Sequence, residues 1–397
     1  MGKAVGVLAG SIALLGAVVG AAVAVLTVVF ARRVVTPSGA REEDIRIIAV
    51  DRPAGRIVIE GHEADMPGRY GFWFEHDAGH ARLGDVVEVR DRRVTRSIER
   101  VDFGRLERAA RGRIEGSLFI GPWELGVPYA DVIVPTALGA APAWEIPADE
   151  ASDRWVVQVH GRGAKRQEAL RAVAPARAAG WNSLLMSYRN DGEAPESIDR
   201  RYGLGGTEWE DVVDAVRYAR ERGAREVVLM GWSMGGAISL QAVLRSTEVR
   251  EVLSGMILES PAIDWADILR FQGSMIGLPD QMSELVTRLL AAPVAVEVTG
   301  LAAPIDLESL DAVARAHEFG VPMLLMASED DGFVPITGAR RFAEARPDLI
   351  EFEVFHGARH TKLWNAEPER WEGLIEAWLL RRSVVGTPSG EETEIAG

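Results

Sequence analysis

A serine hydroxyl attacks an acyl carbon only when a base takes its proton, and the base in turn needs a group to orient it. Ser233 lies in the stretch Gly231-Trp232-Ser233-Met234-Gly235-Gly236. Four apolar residues, Val227 to Met230, precede that stretch and read as a buried strand, and Ala237 to Arg245 reads as a helix. On so tight a strand-to-helix turn the hydroxyl is pushed clear of the sheet, and a glycine two positions to either side lets strand and helix pass closely. The helix N-terminus adds free N–H groups and a partial positive charge where an oxyanion would develop. Two later segments, each just past an apolar strand, carry ionisable groups. Glu329, Asp330 and Asp331 lie in Ala327-Ser328-Glu329-Asp330-Asp331-Gly332-Phe333-Val334-Pro335, and His356 and His360 follow the strand Glu351 to Phe355. Serine, acid and histidine therefore arrive in the chain order that a nucleophile elbow on an α/β sheet uses.

The elements that must hold these residues are legible from Ser117 onward, where strands alternate with helices. That alternation predicts an α/β fold with a mostly parallel sheet and helices on both faces. Ala130 to Pro135 and Ala143 to Ile146 suit an opening hairpin, and Trp155 to Val159 suits a buried strand ending in His160-Gly161-Arg162-Gly163. Glu168 to Ala178 reads as a helix and Trp181 to Tyr188 as the next strand. In the polar loop that follows, Arg189, Asn190, Asp191 and Tyr202 read as braces of the loop. Thr207 and Glu210 have capping-box spacing at the head of a helix whose apolar face is Trp209, Val212, Val213, Val216 and Ala219. After the strand Gly255 to Glu259 an insertion of about 261–320 is expected to form a helical lid. Helices are predicted within it at Asp264 to Phe271, Met282 to Leu290 and Leu307 to His317. Sitting over the strand ends, it would line the substrate pocket. Val321 to Met326 and Ile350 to Phe355 are the last strands. Trp371, Leu374, Ile375 and Trp378 give the closing helix an apolar face, and the acidic tail 383–397 reads as disordered.

The chain begins differently. Ala4 to Ala31 contains no charged residue, enough for a transmembrane helix, which needs ~20 apolar residues. Arg32, Arg33 and Arg41 after it outnumber Lys3 before it, so the charge bias leans toward a single-pass protein with a cytoplasmic catalytic domain. Residues 42–116 form a β-rich region of short apolar runs broken by Gly, Pro and Asp. His76 and His80 there bracket Asp77-Ala78-Gly79 and read as solvated turn residues, not metal ligands.

Composition excludes several functions. Of 397 residues, 47% are hydrophobic, enough for a large core, and the net charge of −15 without a basic cluster argues against a nucleic-acid partner. The absence of cysteine removes disulfides, thiol catalysis and cysteine-ligated metals. No cofactor or metal site is predicted. The partners expected are a small-molecule acyl substrate and, through the N-terminal helix, a membrane; the oligomeric state leaves no mark on the sequence.

From about Ala130 to Leu380 the chain resembles the α/β-hydrolase-fold serine hydrolases, similar to their esterase and prolyl-oligopeptidase-like branches. Four features carry the resemblance: the elbow around Ser233, His160-Gly161 after the earlier strand, Asp331-x-x-Val334-Pro335, and His360 before the last helix. It implies Ser233 as nucleophile, His360 as base and Asp331 as the orienting acid. It also implies an oxyanion hole from the backbone N–H groups of Met234 and Arg162. The activity expected is that of a membrane-anchored hydrolase of carboxylic esters. A prolyl-oligopeptidase-like peptidase and a non-catalytic hydrolase-fold binding protein are the alternatives. The region before Ser117 lies outside the resemblance.

Overall fold

In the computed structural model, residues 20–37, 39 and 41–385 are described. Period-two alternation from Ile45 to Glu115 closes the β-rich region on itself. Strands β1 (Ile45–Asp51), β2 (Arg56–Glu60), β3 (Tyr70–Phe74), β4 (Gly79–Arg90), β5 (Arg93–Phe103) and β6 (Arg111–Glu115) form a closed barrel in the order β1-β2-β5-β4-β3-β6. Ile45, Ile57, Ile59, Phe72, Phe74, Ala81, Leu83 and Val94 fill its interior. Closure leaves no sheet edge for another chain to pair with. The region is therefore one barrel, without the bladed arrangement of a propeller.

His80 departs from expectation. It is fully buried: β4 already begins at Gly79 and carries His80 onto the outer barrel face, where the Trp73 and Phe103 rings pack against it. Its Nδ1 lies 2.6 Å from Asp102 Oδ2. His76 does sit in an exposed turn.

The second domain is built on one mixed sheet. Its strands are β7 (Ala130–Thr136), β8 (Gly139–Ile146), β9 (Arg154–Val159), β10 (Asn182–Met186), β11 (Glu226–Trp232), β12 (Leu253–Glu259), β13 (Met323–Ser328) and β14 (Ile350–Phe355). Their order is β14-β13-β12-β11-β9-β10-β8-β7, with β9 to β14 parallel and the β7–β8 hairpin antiparallel at one edge. From β9 the chain moves to β10 on one side, then returns to place β11 on the other. This reversal opens a crevice between the C-terminal ends of β9 and β11, the position at which open α/β sheets bind ligands.

A helix over residues 20–35, α1, precedes the barrel. The others are α2 (Val173–Ala178), α3 (Trp209–Glu221), α4 (Met234–Arg245), α5 (Thr247–Arg250), α6 (Trp265–Met275), α7 (Asp280–Ala291), α8 (Ala295–Thr299), α9 (Ile336–Ala345), α10 (Leu363–Ala366) and α11 (Pro368–Val385). Three local expectations need correction. The helix predicted from Glu168 is a 3-10 turn over Arg166–Ala172 followed by α2, because Pro175 has no N–H and is tolerated only in the first turn of an α-helix. The Thr207 capping box is not formed. The buried Glu208 carboxylate instead accepts the N–H groups of Gly203 and Gly205, and α3 starts at Trp209. Leu307 to His317 makes turns, with a short 3-10 helix at Ala316–Glu318, since Asp306 and Asp311 side chains take the N–H groups of Ser309, Val313 and Ala314.

Of the predicted span, residues 4–19 lie outside the described residues. Among the described residues no helix is long and apolar enough to cross a membrane. The last turns of α1 are docked on the second domain. Ala31, Val34 and Val35 are buried in its core cluster, and Val35 O accepts the Tyr202 N–H at 2.8 Å. Val25, Leu26 and Val29 remain exposed. At the other terminus α11 runs to Val385, three residues into the predicted tail, and 386–397 lie outside the described residues.

Candidate active site

Gly231 to Gly235 makes the turn that lifts Ser233 out of the sheet. A Cβ on Gly235 would come within 2.0 Å of Val159 O, and one on Gly231 within 2.5 Å of Gly235 O. Nothing larger than glycine passes β9 and α4 at these two points. Ser233 itself has φ +51° and ψ −118°, a strained backbone that costs about 1–3 kcal/mol. Four hydrogen bonds hold it there: Ser233 N–H donates to Glu259 O, and Ser233 O accepts from Gly236, Ala237 and Ala262.

The structure brings the three expected side chains together. His360 Nε2 lies 2.8 Å from Ser233 Oγ, and His360 Nδ1 lies 2.7 Å from Asp331 Oδ2. Asp331 Oδ1 accepts the N–H groups of Phe333 and Val334, which fixes the carboxylate behind the ring. Burial alone would push the Asp331 carboxyl up; the His360 imidazole and those two N–H groups outweigh it and hold the carboxyl below its usual range. The neighbouring acids do other work. Asp330 accepts the Gly357 N–H, and Glu329 pairs with Arg340 and with His356, which is exposed. His317 stands in the short 3-10 turn away from these groups.

Around the serine, the backbone N–H groups of Met234 and Arg162 donate to no acceptor among the described residues. The Gly161 N–H is occupied by Glu168 Oε2 at 2.7 Å. Gly161 O accepts from Tyr188 Oη at 3.0 Å and lies 2.9 Å from His160 Nδ1, while His160 Nε2 sits 3.1 Å from the buried Asp191. His160 thus shapes the turn after β9, and Asp191 and Tyr188 fix His160. The Arg162 side chain points elsewhere and ties the end of α1 down by donating to Arg33 O and Thr36 O.

Sequence reasoning missed what lies beneath the elbow. Glu259 is fully buried and accepts the indole N–H groups of Trp232 at 2.7 Å and Trp371 at 2.9 Å, with Arg171 at 3.8 Å. Burial pushes its carboxyl up despite the Arg171 charge. A glutamate ending an otherwise apolar strand, Gly255 to Glu259, was the available signal.

Sequence reasoning also misassigned the pocket wall. Ser233 and His360 open into a cavity of ≈ 960 Å³. None of residues 261–320 lines it. The insertion packs instead beside α1 and the loop before α3: Val298 O accepts from Arg32, Thr299 O from Arg201, and Leu204 O from Trp265 Nε1. The wall it was expected to supply comes from the barrel and linker, including Glu63, Trp73, Arg113 and Phe119, and from Asn190, Asp191 and Tyr202 of the loop after β10.

Residues 156–374 match a family described as the alpha/beta hydrolase family. Residues 46–115 match one described as a domain of unknown function (DUF8805). No curated protein matches the sequence. Among solved structures the chain is similar to an esterase from Pyrococcus furiosus, at 19% identity and a TM-score of 0.50, over 66% of this chain and 94% of that one. It is also similar to an esterase from Pyrobaculum calidifontis, at 16% identity and a TM-score of 0.48, over 65% and 86% of the two chains. The first likeness is one of fold.

Proposed function

We propose, on the premise that this chain belongs to the alpha/beta hydrolase family, that it is a serine hydrolase that cleaves carboxylic esters through an acyl-enzyme. The observation that carries this reading is the hydrogen-bonded line from Ser233 Oγ through His360 to Asp331. Ser233 is the nucleophile. As its oxygen bonds to the carbonyl carbon, its proton passes to His360 Nε2, and Asp331 steadies the imidazolium at Nδ1. The carbonyl oxygen, now an anion, is held by the Met234 and Arg162 N–H groups; one such donor typically lowers the barrier by ~3 kcal/mol. The C–O bond to the leaving alcohol breaks as that oxygen takes the proton from His360. Water then repeats the sequence on the acyl-enzyme, giving its proton to His360 and releasing the acid and Ser233.

Labelling with a fluorophosphonate tests the assignment. Wild type should label and turn over simple esters, and Ser233→Ala should do neither, with turnover down by at least about 10⁴-fold. Equal labelling of the two proteins would remove Ser233 from the reaction.

Membrane attachment belongs to the same proposal, with the catalytic domain on the cytoplasmic side. Its support is the charge-free run Ala4 to Ala31, the exposed Val25, Leu26 and Val29 on α1, and the arginines that follow. A chain starting at Phe30, which keeps the docked Ala31, Val34 and Val35, should leave the membrane fraction on cell lysis. If it stays there, the N-terminal run is not what holds the protein.

A further inference from the structure

The cavity that opens on Ser233 takes part of its lining from a domain whose role neither fold nor family specifies. Trp73 stands on β3 between Phe72 and Phe74; those two face the barrel interior, so Trp73 faces out, into the cavity wall. It is braced from behind. The His80 ring lies 4.5 Å from its ring and Phe103 6.0 Å, and His80 is itself fixed by Asp102 in full burial. The Arg113 guanidinium lies 5.6 Å from the Trp73 ring, with its charge met by Asp77 at 2.5 Å and Glu115 at 2.7 Å. The Trp73 indole N–H has no acceptor among the described residues. A braced flat ring with a spare donor beside a neutralised cation is a binding surface built in advance of its ligand.

We infer that the barrel forms one wall of the substrate site, with Trp73 as the residue that selects the part of the substrate remote from the scissile bond. The substrate class that fits is a compact, hydrogen-bonding ester that carries a ring. A long alkyl chain fits poorly, because lying along this wall it would strip water from Arg113, Asp77 and Glu115 without replacing their hydrogen bonds. The inference rests on the serine-hydrolase reading above, since it concerns which ester reaches Ser233.

Steady-state kinetics of the full chain with methyl acetate, 1-naphthyl acetate, methyl phenylacetate and methyl decanoate test it. Wild type should prefer at least one ring-bearing ester to the decanoate. Trp73→Ala should lower the preference for that ester over methyl acetate about tenfold, through KM, and Trp73→Phe should restore most of it. Should Trp73→Ala fail to fold, Trp73→Leu reads the same ratio. Val87→Ser, exposed on β4 and outside the cavity, controls for general effects on the barrel. Fluorophosphonate labelling with unchanged selectivity in the Trp73 variants, or a wild-type preference for decanoate, overturns the barrel wall and leaves the serine reading standing. Wild type that neither labels nor turns over any ester removes both.

Discussion

Glu168 takes the backbone N–H of Gly161 at 2.7 Å, so the turn after β9 is held by a buried carboxylate one residue before Arg162. The same carboxylate sits 3.6 Å from Arg171, which links the loop that carries Arg162 to the charged cluster beneath the elbow. Glu168→Ala frees the Gly161 amide and loosens the loop that aims the Arg162 N–H. The expected result is a fall in kcat of about 10–100-fold with little change in KM, as for partial loss of an oxyanion donor. Glu168→Gln keeps an acceptor and should retain most of the rate. A loss confined to KM would place the residue in substrate binding instead.

Asp331→Asn should lower kcat/KM by about 10²–10⁴-fold, because the amide favours the wrong imidazole tautomer. It should also change stability with a definite sign. The Asp331 carboxyl has a folded pKa below its usual value, so its contribution is present above the ordinary carboxylate range, about pH 3.9, and is lost as pH falls through the lower folded value. Urea midpoints from pH 6 down to pH 3 should therefore fall less steeply for Asp331→Asn than for wild type. A steeper fall in the variant would reverse the sign argued here.

Gly235→Ala introduces a Cβ that would meet Val159 O at 2.0 Å and His160 O at 2.5 Å, both backbone atoms. Neither can yield without separating α4 from β9. We expect the variant to lose ester turnover and about 3 kcal/mol or more of stability, by the same overpacking that penalises any enlarged core residue. Gly357→Ala offers a contrast: no atom lies within 4 Å of its added methyl, and only its φ of +71° resists the change. It should cost clearly less in the same urea titration.

Glu259→Leu tests the buried cluster. Removing the carboxylate leaves the Trp232 and Trp371 indole N–H groups without their acceptor in a dry interior, and leaves Arg171 with Glu168 as its remaining carboxylate partner. Breaking one side of a buried charge pair typically costs about 3–5 kcal/mol. Equilibrium unfolding should show that loss even though Glu259 touches neither substrate nor His360. Stability equal to wild type would mean that the leucine packs well enough to offset the lost partners.

The hydrolase half was legible because its signals are local. An apolar strand, a glycine-flanked serine and a following helix occupy twenty consecutive residues, and Asp331 and His360 each sit in a loop just past a strand. That residues 42–116 are rich in strands was legible too, from short apolar runs broken by Gly, Pro and Asp; that those strands close into a barrel was not. Its part in the cavity was not, because Trp73 and Ser233 are 160 positions apart and nothing in either segment says that they meet. The insertion misled for a related reason: its position after β12 suggests a cover for the strand ends, yet the barrel and α1 compete for the same surface. His80 was misjudged because β4 extends back to Gly79 and because the Trp73 and Phe103 rings cover the outward-facing His80.

Asn365 stands five residues after His360 and is held by the barrel side. Its Nδ2 donates to Arg69 O at 2.7 Å and Gly116 O at 2.9 Å, its backbone carbonyl accepts the Arg69 N–H at 3.2 Å, and a methyl on Gly68 would come within 1.8 Å of that backbone oxygen. Lys362 in the same segment pairs with Glu63. The segment bearing the histidine is thus fastened to two domains at once. The hydrolase half is not an interchangeable cassette: grafted onto another N-terminal domain, it would keep the turn that presents Ser233 and lose the anchorage of the segment that carries His360.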